Sequence, residues 1–183
     1  PNAWRLARAL EDANAPSTIL RPVYYWITAK AEPLLGDFCR EILYPRQADA
    51  RIGVDTALVL TWLNDKGCPW SADVATRVAR GLLAALRDFG ILEGRARKRL
   101  ADPAPPLRSF AFIAFCLRLL GTSSRDLLVH PDWRLFLLSP EDVERLFLHA
   151  HQDRLLEYHA AGSVIQIHFP TDSVEEYARV VAR

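Results

Sequence analysis

Apolar residues recur along most of the chain every three or four positions, the spacing of helices with one buried face. The pattern predicts a short leading helix at 4–10, after which "EDANAPST" has the composition of a linker. Leu35, Phe38, Cys39, Ile42 and Leu43 mark another helix, ended by Pro45. A third is expected over 54–63, packing through Leu58, Leu60 and Trp62, before a turn at "NDKGCPW". Ser71 is placed to cap a helix running to Phe89, with Asp73 in the first turn and Gly90 just past the end. Around that helix Val74, Val78, Leu82, Ala85, Leu86 and Phe89 gather on one side. Thr76, Arg80 and Arg87 fall within about 40° of one another on the other side, with Arg77 at the edge.

The proline-rich "ADPAPP" that follows is the best candidate for a boundary between subdomains. Beyond it "FAFIAFCL" lies in a helix predicted over 109–120 and closed by Gly121. "SSRD" at 123–126 has the spacing of a capping box, expected to start a short helix through Val129. "SPED" at 139–142 is the clearest start signal, with Ser139 as cap, Pro140 in the first helical position and acids behind it. Val143, Leu146, Phe147 and Ala150 form the apolar stripe of that helix. The period then changes from 3.6 to 2. Ile165, Ile167 and Phe169 alternate with Gln166 and His168, which predicts a β-hairpin over 154–169 stopped by Pro170. A last helix is expected over 173–182.

Together these elements predict a mainly α fold: a small multi-helical protein with two helix-turn-helix or winged-helix-like units and one or two short β-hairpins. The divisions are an N-terminal helical segment over 1–48, a first unit with a basic wing over 49–102, and a second unit over 107–183. In each unit an amphipathic helix precedes an extended or hairpin segment, the order in which a winged helix presents a helix to the major groove and a wing to the backbone.

Charge separates the two units. The 183 residues carry a formal net charge of +1, with half the residues apolar and a quarter charged, the composition of a soluble globular protein. Positions 71–108 hold eight Lys/Arg against four Asp/Glu, whereas 109–183 hold seven against ten. "RDFGILEGRARKR" at 87–99 concentrates the basic excess. Thr76, Arg77, Arg80, Arg87, Arg95, Arg97, Lys98 and Arg99 are therefore the candidate contacts to double-stranded DNA. The alternative is a solvated charged face, with Arg77, Arg80 and Arg87 paired to Asp73 and Asp88. Twenty of the 23 cations are arginine, a bias that suits phosphate and base edges and that a GC-rich genome would also produce. The exposed side of the 139–152 helix carries Glu141, Asp142, Glu144 and Asp153, which phosphate repels, so the second unit reads as protein-facing.

Little in the chain points to catalysis. "HAHQD" starts like a metallo-hydrolase signature, but His149 and His151 lie two apart on a helix and point about 200° from each other, and Arg154 stands where a further His is needed. Solvent-facing histidines near a helix end are the simpler reading. His159 and His168 are expected to face each other across the hairpin, which packing or exposure explains. Glu175 and Glu176 aim about 100° apart and make a poor acid–base pair. Cys39, Cys68 and Cys116 are odd in number and widely spaced, as reduced core thiols are. No nucleotide-loop or serine-hydrolase motif is present. The expectation is a non-enzymatic protein with no cofactor and no metal. "FAFIAFCL" is too short to span a bilayer and is followed by Arg118, so no membrane span and a cytoplasmic location are expected. No secretory signal is visible, and the sequence opens on Pro1 rather than methionine, as a chain lacking an upstream piece would.

"TRVARGLLAALRDFGILEG" at 76–94, "HPDWRLFLLSPEDVERLF" at 130–147, "LLEYHAAGSVIQIHFP" at 155–170 and "SVEEYA" at 173–178 carry a resemblance to the BrxA family of bacterial BREX phage-exclusion systems. The likeness covers most of the chain from about Pro22 onward and is least clear before it. It implies a small, mainly helical protein with helix-turn-helix-like elements, no known catalytic activity, DNA binding and a part in excluding phage DNA. Family members have also been labelled inner-membrane proteins, which the lack of a span here does not support. The family offers no fixed set of functional residues to carry over, so the arginines above rest on the residue pattern. Two functions follow as expectations: a non-enzymatic DNA-binding component of BREX-type defence, or a protein–protein scaffold that joins other BREX-type defence proteins without touching DNA. In the second case Tyr24, Tyr25, Trp26 and Trp133 are candidate exposed aromatics.

Overall fold

A computed structural model describes residues 3–47, 53–95, 98–162 and 164–183. The fold is mainly α with two small antiparallel hairpins. The chain divides into two compact units, one formed by Pro1–Ala31 with Ala104–Arg183, the other by Glu32–Pro103. This division differs from the one read along the sequence, where residues 1–48 stand as one N-terminal segment.

The reason lies in the first two helices, α1 (Ala3–Asp12) and α2 (Ser17–Ala31). Leu6, Ala7, Ala9 and Leu10 bury one face of α1, which packs on the last helix of the chain, α9 (Val174–Ala182). Arg5 pairs with Glu175 of α9 at 2.9 Å. The expected linker at "EDANAPST" is only a tight turn, with Asn14 at φ 54°. Helix α2 has no clean apolar stripe to announce it and carries Pro22 inside it. It is held by its burial: Ile19, Val23, Tyr25, Trp26, Ile27 and Ala29 all lie in the core.

The centre of this unit is α6 (Leu107–Leu119), in which Ser109 to Leu117 are all buried, as a continuous apolar run requires. Around α6 pack α2, α7 (Ser124–Leu128), α8 (Pro140–Gln152) and α9. Ser139 caps α8 in a full capping box with Asp142, as its sequence predicts. Ser123 caps α7 by accepting from the Asp126 amide. A tight 3₁₀ segment, Pro131–Phe136, brings in Trp133. Tyr25, Trp26 and Trp133 are each 1% exposed, so the expectation of an exposed aromatic surface fails for them. Their polar tips are satisfied inside: the Tyr25 hydroxyl donates to the Leu135 carbonyl, and the Trp133 indole to that of Leu127. The Trp26 indole and the Lys30 ammonium both donate to the Oδ2 of buried Asp132, each at 2.8 Å. Burial pushes the Asp132 carboxyl up, but the hydrogen bonds from Lys30 and Trp26 outweigh it and hold it below its ordinary value.

In the second unit, α3 (Pro33–Phe38) runs on through a wide turn, Cys39–Leu43, and a tight one, Tyr44–Arg46, so the chain stops its helix around Pro45 as expected. Then come α4 (Thr56–Asp65) and α5 (Ala72–Asp88), followed by strands β1 (Leu92–Glu93) and β2 (Arg99–Leu100). Val54, predicted as the first residue of a helix, instead bridges Lys98 through two backbone hydrogen bonds of 2.8 and 3.1 Å. Asp55 then caps α4 by accepting from the Leu58 amide. The buried residues of α4 are Val59, Trp62 and Leu63; of the expected packing residues Trp62 is buried, whereas Leu58 and Leu60 are only half-buried.

Candidate nucleic-acid interface

Helix α5 starts where Ser71 accepts from the Val74 amide and ends where Gly90, at φ 82°, allows a left-handed exit. There the Ile91 amide bonds the Leu86 carbonyl and the Gly90 amide the Arg87 carbonyl. Leu86 and Ile91 are both buried, so this exit fixes the direction in which the hairpin leaves the helix. The buried stripe is Ala79, Leu82, Leu83 and Leu86, rotated from the expected one, and Val74 is exposed.

Arg77, Arg80 and Arg87 are exposed. Arg77 and Arg80 make no ion pair among the described residues. Arg87 is turned onto its neighbour Asp88, with its terminal nitrogen 2.9 Å from the carboxylate. Thr76 is half-buried and its hydroxyl donates to the Ala72 carbonyl at 2.8 Å, so its proton is used within the helix.

The hairpin β1–β2 pairs Leu92 with Leu100 and Glu93 with Arg99. Leu92 faces the core, which turns Glu93 and Arg99 outward, and these two form an exposed ion pair at 3.2 Å. Lys98, the partner of Val54, donates its ammonium to the Arg95 carbonyl at 2.8 Å and has no acidic partner among the described residues. Arg95 is exposed and likewise has none. Arg97 lies outside the described residues. The eight expected positions thus separate into four cations without acids (Arg77, Arg80, Arg95 and Lys98), two cations held by Asp88 and Glu93, one hydroxyl turned inward, and Arg97.

Sequence reasoning weighed Asp88 as a partner but missed Glu93. Its signal was present: Glu93 and Arg99 flank "GRARK" at equal distance from its middle, the placement of cross-strand partners. Lys66, at the end of α4, is committed elsewhere. It lies between Asp37 at 3.1 Å and Glu41 at 2.7 Å, over the Trp62 ring. The hydrogen bonds from Lys66 and from the Trp62 indole hold the Glu41 carboxyl below its usual range.

In the other unit, His149 and His151 do not converge on a metal position, and among the described residues no three His, Cys, Asp or Glu side chains come together to hold one. His159 and His168 share the outer face of the second hairpin, β3 (Glu157–Ala161) with β4 (Val164–His168). They are not opposite each other: the register pairs Glu157 with His168 and His159 with Gln166. No helix among the described residues is long and apolar enough to cross a membrane.

The model of the BrxA family matches residues 4–115, well over half of the chain. The chain belongs to the BrxA family. Membership makes it a component of BREX phage defence. The match takes in α1 and the start of α2, the stretch before Pro22 whose resemblance was least clear, and ends within α6. It covers the whole BrxA unit that bears the four cations. No curated protein and no solved structure matches the chain.

Proposed function

We propose that this protein binds duplex DNA through the Glu32–Pro103 unit, without catalysis, as its part in BREX defence. In this reading the unit works as a winged helix: α5 lies along the major groove, and the β1–β2 hairpin rests on the neighbouring backbone. The observation that carries the proposal is the set of Arg77, Arg80, Arg95 and Lys98, placed on one helix and its adjoining hairpin and free of acidic partners among the described residues. Cations already paired with acids gain little from phosphate, because they give up one carboxylate for another anion. Unpaired ones release condensed counterions from the DNA at no such cost.

The order of elements supports the same reading. The Val54–Lys98 bridge ties the stretch before α4 to the hairpin, as the first strand of a winged helix is tied to its wing. Protein partners remain with the other unit, where α8 exposes Leu148 between Glu144 and His149.

The test is charge reversal. Arg77→Glu with Arg80→Glu should abolish duplex binding in a gel shift at moderate salt, while the melting temperature stays that of the parent, because both side chains are exposed. Binding unchanged in the double variant would falsify the assignment of α5.

A further inference from the structure

In the other unit the end of α8 and the β3–β4 hairpin line an open cleft of about 670 Å³. His151, Arg154, Glu157, His168, Phe169 and Pro170 line it. Its volume is that of a pocket for an organic ligand rather than a bare ion. The lining mixes polar and apolar residues.

The polar part of the lining offers donors. Arg154 follows α8 at φ 57°, is exposed, and makes no ion pair among the described residues. His151 accepts the Tyr158 amide on Nδ1 at 3.3 Å, so a neutral ring carries its proton on Nε2 and has that N–H to give. His168 sits across the hairpin on the outward face. The acid among these residues, Glu157, is the register partner of His168 across the hairpin and lies 3.7 Å from the His159 ring. Phe169 and Pro170 supply apolar lining. Phe169 is held edge-on by Phe115 at 5.3 Å and by Tyr177 at 5.4 Å, with Pro170 beside it in the chain. A ligand that uses both kinds of lining has an anionic group and a flat aromatic body.

We infer that this cleft binds a nucleoside monophosphate, with its phosphate on Arg154, His151 and His168 and its base against Phe169. The inference concerns a different unit from the DNA-binding proposal and stands whether or not that proposal does.

Adenosine 5′-monophosphate is the probe, titrated into the intact protein while the histidine ring protons are followed by NMR. Expected are saturable shifts of His151 and His168, with His130 and His149 unmoved. Inorganic phosphate alone and adenosine alone should each bind more weakly. Arg154→Gly removes the guanidinium and at the same time relieves a left-handed backbone that glycine tolerates better, so the variant should fold at least as well as the parent. It should weaken binding by about tenfold or more, the effect of losing a charge-assisted contact to phosphate. His168→Gln, on an exposed strand position, should weaken it less. No shift at about 1 mM nucleotide, the weakest binding worth assigning, overturns the inference. So does nucleotide binding that neither variant alters, or phosphate alone binding as tightly as the nucleotide.

Discussion

Glu93→Gln should make the protein bind DNA more tightly, an outcome that a charged but solvated loop would not produce. In the structure Glu93 holds Arg99 at 3.2 Å across the β1–β2 hairpin, and both side chains are more than half exposed. An exposed pair of this kind stabilises a fold by about 0–1 kcal/mol, so the hairpin should survive its loss. Glutamine keeps the shape and a carbonyl acceptor but removes the charge. Arg99 then becomes a fifth cation free to neutralise a phosphate, and the repulsion between Glu93 and the backbone disappears. Each added phosphate contact steepens the log–log dependence of affinity on salt by about 0.9. Between 50 and 200 mM salt, roughly a fourfold change, the advantage of the variant should therefore shrink by about 3.5-fold. Fluorescence anisotropy with a labelled duplex, titrated at several salt concentrations, reads both the affinity and the slope. An unchanged slope with unchanged affinity would mean that the hairpin does not touch phosphate.

Two further outcomes bear on the scaffold that carries these sites. Asp132→Asn leaves the Trp26 indole and the Lys30 ammonium without a carboxylate in a buried position and should cost about 2–3 kcal/mol, measured by urea unfolding. The Asp132 carboxyl is held below its ordinary value when folded, so its contribution is full above the unfolded value of about 3.9 and is lost as pH falls through the folded one. The parent should thus lose stability below about pH 4 by more than the Asn variant does, and parallel pH curves would contradict the account. Ser139→Ala removes the hydroxyl that accepts the Asp142 amide and should cost about 1 kcal/mol in the same assay.

Local chemistry was legible in the sequence, and long-range chemistry was not. Ser71, Ser123 and Ser139 mark helix starts because a cap acts within three residues, and all three accept the bond their positions predict. Gly90 marks a helix end for the same reason. Helix α2 escaped notice because Pro22 breaks the helical pattern and because a helix buried on most sides shows no stripe. Tyr25, Trp26 and Trp133 read as surface aromatics because their burial depends on partners more than a hundred positions away or on a neighbouring segment. Asp132 is one such partner. The bridge of Val54 to Lys98 spans 44 positions, and nothing at Val54 itself announces it.

At the candidate site the pattern placed Arg77, Arg80 and Arg87 within the helix they occupy but could not tell which were free of acids. That distinction rests on the side chains of Asp88 and Glu93. The exposure of Arg77 and Arg80 follows directly from the 3.6-residue period. The exact set of buried residues does not, since α5 meets its neighbours along Ala79, Leu82, Leu83 and Leu86, and Val74 is left to solvent.

The central claim is that four cations of one compact unit meet phosphate. Its most direct test is the salt dependence of duplex binding by the unaltered protein, on random and on mixed-sequence DNA. With Arg77, Arg80, Arg95 and Lys98 each neutralising one phosphate, log affinity should fall against log salt with a slope of about −3.6. No binding at 50 mM salt, or binding whose affinity does not change with salt, would contradict it.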